Sequence, residues 1–294
     1  MSAIGLRARS VAAIAGASAV GLVAFCWPLL ATAPSTLARR GDATLVFAAL
    51  LPLVLAVALA EVADGGMDAK AVAMLGVLSA VGAATRALGA GTAGIETVFF
   101  LLVLAGRVLG PGFGFVLGAS TLFTSALLTG GVGPWLPFQM LGAAWVGLGA
   151  GLLPGWRGRA ELALLAVYGA AAALAYGVLL NLSFWPFSLG SGTDVSFVPG
   201  DAVGANLRRL AAFTAATSLG WDVGRAVTTA VLVVLTGPAL LRTLRRAARR
   251  ARFVDPVVSG RARRARAGGG RSRPRPGRPG AGRSRAASST PPRP

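Results

Sequence analysis

Long apolar runs, broken by short turns rich in glycine, proline or charged residues, repeat along most of the chain. Most of these runs are close to the ~20 residues that an α-helix needs to cross a bilayer. The pattern predicts eight crossings, which we place at residues 10–31, 43–62, 71–88, 95–109, 113–128, 137–153, 161–182 and 221–241. A long loop over 181–206 and a short helix over 207–219 are predicted before the last crossing. The predicted fold class is therefore all-α integral membrane.

Composition strengthens this prediction and removes several classes of function. The 294 residues are 54 % hydrophobic and 13 % charged, and the mean hydropathy is +0.68. A chain this apolar is not expected to form a water-soluble globule. Histidine is absent and Cys26 is the only cysteine. We therefore expect no disulfide framework, no metal site, no cofactor and no cysteine–histidine catalytic pair.

The net charge of +19 is concentrated at the C-terminal end. Seventeen of the 29 basic residues lie at or after Arg242, where Asp255 is the only acid. Residues 251–294 are rich in arginine, glycine, proline and serine, so we predict a disordered cytoplasmic tail. Arginines at this density are attracted to anionic lipid headgroups. No aromatic residue follows Phe253 to stack on bases, so we predict contact with membrane lipids and no specific nucleic-acid partner.

The distribution of arginine in the short loops predicts the orientation of the chain. With eight crossings both termini are cytoplasmic, and Arg107, Arg157 and Arg159 lie inside a bacterial plasma membrane together with the tail. Glu96 and the turn before Leu136 then lie outside. The first apolar run also fits a signal peptide. Because its ~22 residues exceed the usual apolar region of a signal, we favour a retained helix.

One turn is richer in binding chemistry than the others. Residues 129–136 read TGGVGPWL, and Pro137, Phe138 and Gln139 follow. Glycine and proline at this density end a helix. The elbow presents a tryptophan ring, and then an amide one turn into the next helix. Such groups bind ligands without catalysing a reaction, so we predict that the elbow opens a small-molecule site on the outer face.

Other polar and aromatic residues at the outer helix ends are candidates for the same site, since polar groups at membrane depth are costly without a partner or a function. The predicted binding residues are Glu96, Trp135, Gln139, Asn181, Trp185, Trp221, Asp222 and Arg225. Structural roles compete for several of them. For Asp222 and Arg225, three apart on a helix, the alternative is a mutual salt bridge. For Glu96 it is a helix cap or a pair with Arg86. For the tryptophans it is an interfacial aromatic belt.

A stripe of small residues runs along the third predicted crossing. Gly76, Ala80 and Ala84 are four residues apart. This spacing places them on one side of a helix, where a partner helix can approach closely. Because alanine is common throughout the chain, chance spacing is the competing explanation.

The order of these features resembles the substrate-specific S component of energy-coupling factor (ECF) transporters. The resemblance is carried by the small-residue helix, RVLGPGFGFVLGA at 107–119, GPWLPFQMLGAAWVG at 133–147 and TSLGWDVGRA at 217–226. S components have six helices with both ends in the cytoplasm. The resemblance thus implies two additional transmembrane helices in 1–66 and a six-helix substrate-binding membrane core in 67–250, followed by the tail in 251–294.

The resemblance also implies a function. S components bind vitamins and related micronutrients in a pocket open to the outside, while a transmembrane T component and two ATPase subunits drive transport. By position, Gly76, Ala80 and Ala84 match the face that packs against the T component. S components for nickel or cobalt begin with Met-His, whereas this chain begins Met1-Ser2, which argues against a metal substrate. Cobalamin is our first choice of vitamin, with riboflavin, thiamine or another compound as alternatives.

Two other classes of membrane protein are the alternatives. A polytopic lipid-modifying enzyme needs clustered aspartates to hold magnesium and pyrophosphate, and the ten acids of this chain are scattered. A stand-alone secondary carrier is typically built from repeats with matching broken helices, which the two halves of the sequence do not show. The chain also has no G-x-x-x-x-G-K-[ST] phosphate loop. We therefore predict a substrate-capture subunit of an ABC importer that is not an enzyme.

Overall fold

The computed structural model describes residues 8–30, 69–89, 94–188 and 192–251, together with residues 56 and 67. Every regular element in this part of the chain is an α-helix. In chain order the helices are α1 Ala8–Phe25, α2 Trp27–Leu30, α3 Ala69–Gly89, α4 Phe99–Leu109, α5 Pro111–Thr129, α6 Leu136–Leu152, α7 Gly158–Ser188, α8 Val203–Thr217 and α9 Leu219–Ala251.

Four of these helices, α3, α5, α7 and α9, are long and apolar enough to cross a membrane. The predicted all-helical membrane fold is confirmed at this level. Helix α4 has 11 residues, which is about 16 Å at 1.5 Å per residue, or half of a bilayer core. It is therefore too short to cross a bilayer by itself.

Helices α5 and α6 pack backbone to backbone through glycine. A Cβ atom at Gly114 or at Gly147 would clash with the carbonyl oxygen of the other residue. One turn away, a Cβ atom at Gly118 would clash with the carbonyl of Ala143. Small residues at four-residue spacing are what allow apolar helices to approach this closely, because dispersion contacts replace a hydrophobic driving force in lipid.

The predicted elbow is confirmed as the connection between these two helices. Helix α5 ends at Thr129, and Gly130 adopts the left-handed conformation, with φ of 66°, that commonly terminates a helix. Helix α6 then begins at Leu136, with a proline in its first turn. The elbow lies at the end of the bundle where α4 and α9 also begin.

The opposite end of the bundle is held by arginine. Arg107, in the last turn of α4, donates hydrogen bonds to Glu161 Oε1 (2.8 Å) and to the carbonyl oxygens of Leu153 (2.8 Å) and Trp156 (3.1 Å). Arg245 of α9 donates to the same Glu161 oxygen, at 2.5 Å. Glu161 is only 2 % exposed. The buried carboxylate thus joins α4, α7 and α9 at the arginine-rich end.

Several predicted boundaries are wrong. The fourth crossing was expected to begin at residue 95, but residues 95–97 are not helical and α4 begins at Phe99. The loop expected over 181–206 is shorter, because α7 continues to Ser188 and α8 begins at Val203. Helix α9 extends ten residues past its predicted end, and Leu244 and Ala248 in this extension are buried.

Other expectations fall outside the described residues. These are the second crossing, 43–62, of which the structure describes residue 56 alone, and the tail from residue 252. The arrangement of six core helices after two N-terminal helices therefore stays a prediction.

Candidate ligand-binding site

A cavity of about 250 Å³ lies at the end of the bundle opposite Arg107 and Arg245. It is formed where helices α3, α6, α7 and α9 meet the segment that precedes α4. Its lining residues are Arg86, Gly89, Gly94, Ile95, Glu96, Gln139, Tyr176, Leu180, Trp221 and Arg225. An apolar cavity of about 150 Å³ holds benzene, so this space admits a single-ring compound with a substituent.

Among the charged lining residues, Arg225, in the second turn of α9, has the most extensive set of contacts. Its Nε donates to Glu96 Oε2 at 2.5 Å, and its Nη1 donates to Asp222 Oδ1 at 2.8 Å. The guanidinium carbon lies 5.9 Å from the ring centre of Phe99 and 5.3 Å from that of Tyr176. The residue is 7 % exposed. Two carboxylates and two ring faces therefore compensate one buried charge.

Glu96 lies between two arginines. Its Oε2 accepts from Arg225, and its Oε1 lies 3.4 Å from Arg86 Nε. Two of the alternatives to ligand binding are present, the ion pair of Glu96 with Arg86 and the salt bridge between Asp222 and Arg225. The competing expectation, that Glu96 caps a helix, is wrong. The N-cap of α4 is Val98, and no side chain caps it.

Arg86, in the last turn of α3, makes fewer hydrogen bonds than Arg225. Its Nη1 donates to the hydroxyl of Ser125 at 3.0 Å. Its Nε is buried and has no hydrogen-bond acceptor within the described part of the chain. The 3.4 Å separation from Glu96 is an ion pair by distance but lacks the geometry of a hydrogen bond. The Nε–H of this cavity-lining residue is therefore a buried donor that takes part in an ion pair but makes no hydrogen bond.

A polar chain behind the cavity fixes Asp222, which is 3 % exposed. Asn181 Nδ2 donates to the hydroxyls of Ser218 (2.6 Å) and Thr214 (3.2 Å), and Ser218 donates to Asp222 Oδ2 at 3.0 Å. A Cβ atom at Gly177 would clash with the Asp222 carboxylate. Asn181 and Asp222 do not line the cavity. They position Arg225, which does.

In the connection between α3 and α4, Gly94 packs against α9. Gly94 has a φ of 78°, and a Cβ atom there would clash with the carbonyl oxygen of Trp221. This contact places Ile95 and Glu96 at the cavity wall. Glycine is required at this position both for its conformation and for the close approach.

The structure brings together four of the eight predicted binding residues. Glu96, Gln139, Trp221 and Arg225 line the cavity. Trp221 is 46 % exposed and lies at the rim.

Trp135 and Trp185 do not line this cavity. Trp135 is 43 % exposed, and its Nε1 donates to the carbonyl oxygen of Gly131 at 3.1 Å. Trp185 is fully buried, and its Nε1 donates to the carbonyl oxygen of Val195 at 2.7 Å. It packs against Phe197 and Phe213, so it joins the end of α7 to α8.

Sequence reasoning missed several lining residues, among them Tyr176, Leu180 and Ile95. Tyr176 carried a usable signal, because it is one of only two tyrosines in the chain and interrupts an apolar helix. Leu180 and Ile95 carried none, since apolar residues fill every helix of this protein.

The small-residue stripe of α3 lies on its outer side. Gly76, Ala80 and Ala84 are exposed, while the opposite face buries Leu75 and Ser79. Ser79 makes a 2.7 Å hydrogen bond with Ser120 of α5. The stripe is therefore accessible to another helix or to lipid.

No protein-family model matches this chain, and neither a curated protein nor a solved structure shows significant similarity to it.

Proposed function

We propose that this protein is the substrate-capture subunit of an ECF-type ABC importer. It binds a vitamin-like small molecule at the outer face of a bacterial plasma membrane and docks onto a T component and two ATPase subunits. The observation that carries the proposal is the cavity lined by Arg86, Glu96, Gln139 and Arg225, at the end of the bundle opposite the arginine-rich end.

The distribution of charge supports an outward-facing cavity. Arg107 and Arg245 lie at one end, together with the exposed Arg157, Arg159 and Arg242. Short loops rich in arginine stay in the cytoplasm. The cavity is at the other end, so this rule directs it to the outside of the cell.

The chemistry of the lining supports binding. Charged groups at membrane depth are costly and are typically retained for a function. The cavity offers two guanidinium groups, a carboxylate, an amide and two aromatic rings. These groups orient a ligand by charge, hydrogen bonds and ring contact. In our proposal the subunit performs no catalysis.

The volume bears on the choice of substrate. About 250 Å³ is below the usual 300–1,000 Å³ range of ligand pockets. A corrinoid such as cobalamin would extend well outside this space, whereas a single-ring compound fits within it. The proposal therefore shifts from cobalamin, our first choice from sequence, toward a single-ring vitamin or vitamin fragment.

Docking onto the T component is assigned to Gly76, Ala80 and Ala84. These residues are exposed on α3 and present no side chain larger than a methyl group. Two helices that meet along such a surface bring their backbones close together, as Gly114 and Gly147 do within this protein.

Co-expression with T and ATPase subunits, followed by uptake assays, tests the function. We expect uptake only when all partners are present. Ala80→Leu should abolish co-purification of the T component, while Val167→Leu, which enlarges another exposed residue, on α7, should not. Accumulation of substrate by the isolated chain would show a self-contained carrier instead.

A further inference from the structure

We propose that the ligand of this cavity is a small organic anion whose carboxylate binds Arg86. The inference deepens the proposed function and rests on it only for the premise that the cavity holds a ligand. It follows from an uneven distribution of partners among the four charged groups Arg86, Glu96, Asp222 and Arg225.

The formal charges of these four groups sum to zero, but their hydrogen bonds are distributed unevenly. Both carboxylates hydrogen-bond to Arg225, Glu96 through Nε and Asp222 through Nη1. Arg225 also lies over the rings of Phe99 and Tyr176. Its charge is therefore fully compensated by groups of the protein itself. Arg86 has the looser contact, a 3.4 Å ion pair with Glu96 in which its Nε makes no hydrogen bond.

Arg86 has an N–H group without a hydrogen-bond acceptor among the described residues, and another of its N–H groups is held by Ser125. The Ser125 hydroxyl accepts one hydrogen bond from Nη1 and fixes the plane of the guanidinium. The Nε–H is buried without an acceptor. A desolvated donor of this kind is unfavourable until an acceptor arrives. A carboxylate, with two oxygens, matches the fork of an arginine better than any other common group.

The other lining residues indicate the chemical character of the rest of the ligand. Gln139 adds to the lining an amide that can donate and accept hydrogen bonds. Tyr176 and Trp221 add aromatic rings to the lining, and Leu180 and Ile95 add apolar side chains. A planar ring bearing one carboxylate fits both this surface and the cavity volume of about 250 Å³.

Glu96 competes with the ligand for Arg86 at 3.4 Å, while its hydrogen bond to Arg225 is 2.5 Å. When an anion enters, Glu96 loses only the longer contact and keeps the shorter one. The cavity thus accepts an anion without breaking the pair that organises it. A cation would instead have to share a carboxylate that Arg225 already holds.

Three probes of nearly the same shape separate the possibilities: benzoate, benzamide and benzamidine, which are anionic, neutral and cationic. Binding of each to the full-length protein is measured by equilibrium dialysis in neutral detergent, without added lipid, so that anionic headgroups do not compete. We expect benzoate to bind, and benzamide and benzamidine to bind at least about tenfold more weakly.

Variants locate the contact. Arg86→Gln should weaken benzoate binding about tenfold or more, and Glu96→Gln should strengthen it, because the competing carboxylate is lost. Arg209→Gln is the control, since Arg209 pairs with Asp201 outside the cavity; its benzoate affinity should equal that of the unmodified protein. The opposite effects of the two cavity variants distinguish the assignment from a general loss of folding.

Preference for benzamidine, with loss of its binding in Glu96→Gln, would overturn the proposal in favour of a cation site. Equal binding of benzoate and benzamide would overturn it as well, as would failure of folded protein to bind any probe. These outcomes are independent of the partner assays. Benzoate binding without docking onto a T component would leave the anion site intact and contradict the transporter assignment.

Discussion

Arg225 and Glu96, 129 positions apart in the sequence, meet through a 2.5 Å hydrogen bond between guanidinium and carboxylate. The side chains are 9 % and 17 % exposed. The bond joins the start of α9 to the segment before α4, and so closes one wall of the cavity. Separating such a buried pair leaves an uncompensated charge, which is far more damaging than removing both charges together.

A double-mutant cycle tests this relationship. Arg225→Met and Glu96→Gln should each lower the free energy of unfolding by about 3 kcal/mol. The double variant should lose clearly less than the sum of the two single effects, because Glu96 is no longer left charged without Arg225; Asp222 loses its partner equally in both variants that lack Arg225, so that cost cancels in the cycle. Denaturant-induced unfolding in detergent micelles measures all four proteins. Additive effects would mean that the two groups do not interact.

Gly177→Ala tests the support behind the cavity. A methyl group there would clash with the Asp222 carboxylate, so we expect a loss of about 1–3 kcal/mol of unfolding free energy, as for overpacked sites. Gly204→Ala is the matched control. It lies in α8 with open space around its Cβ position, and it should be neutral or stabilising by up to ~1 kcal/mol. Equal effects of the two changes would contradict the described position of Asp222.

Gly147→Ala tests the backbone contact between α5 and α6. The added methyl group would clash with the carbonyl oxygen of Gly114, and a backbone atom cannot move aside as a flexible side chain can. We expect a loss of about 2 kcal/mol or more. Gly16→Ala, with nothing close to its Cβ position, serves as the reference on α1. Thermal unfolding of both variants would reveal the difference.

Part of this arrangement could be predicted from sequence because it depends on neighbours along the chain. The elbow followed from glycine and proline between two apolar runs. The pair of Asp222 and Arg225 followed from a separation of three residues on a helix. Trp185 could not be placed in this way. Its apolar run ends at residue 182, yet the helix continues to Ser188 because the indole packs against α8.

The cavity itself could not be predicted, since it arises where four helices and one connection meet. The contact of Gly177 with Asp222 and that of Gly94 with Trp221 link distant parts of the sequence. No local pattern indicates either of them. Sequence reasoning named the polar groups Glu96, Gln139 and Arg225, because polar side chains are rare in an apolar chain. It did not identify the apolar residues between them, which look like every other part of the bundle.

The central claim is that the cavity opens to the outside of the cell, and cysteine labelling in intact cells tests it most directly. In a Cys26→Ser background, Ile95→Cys places a thiol at the cavity wall, where Ile95 is 46 % exposed. Trp156→Cys places one at the arginine-rich end, where Trp156 is 52 % exposed. With a membrane-impermeant maleimide, we expect Ile95→Cys to be labelled in intact cells and Trp156→Cys only after lysis. The reverse pattern would contradict the account.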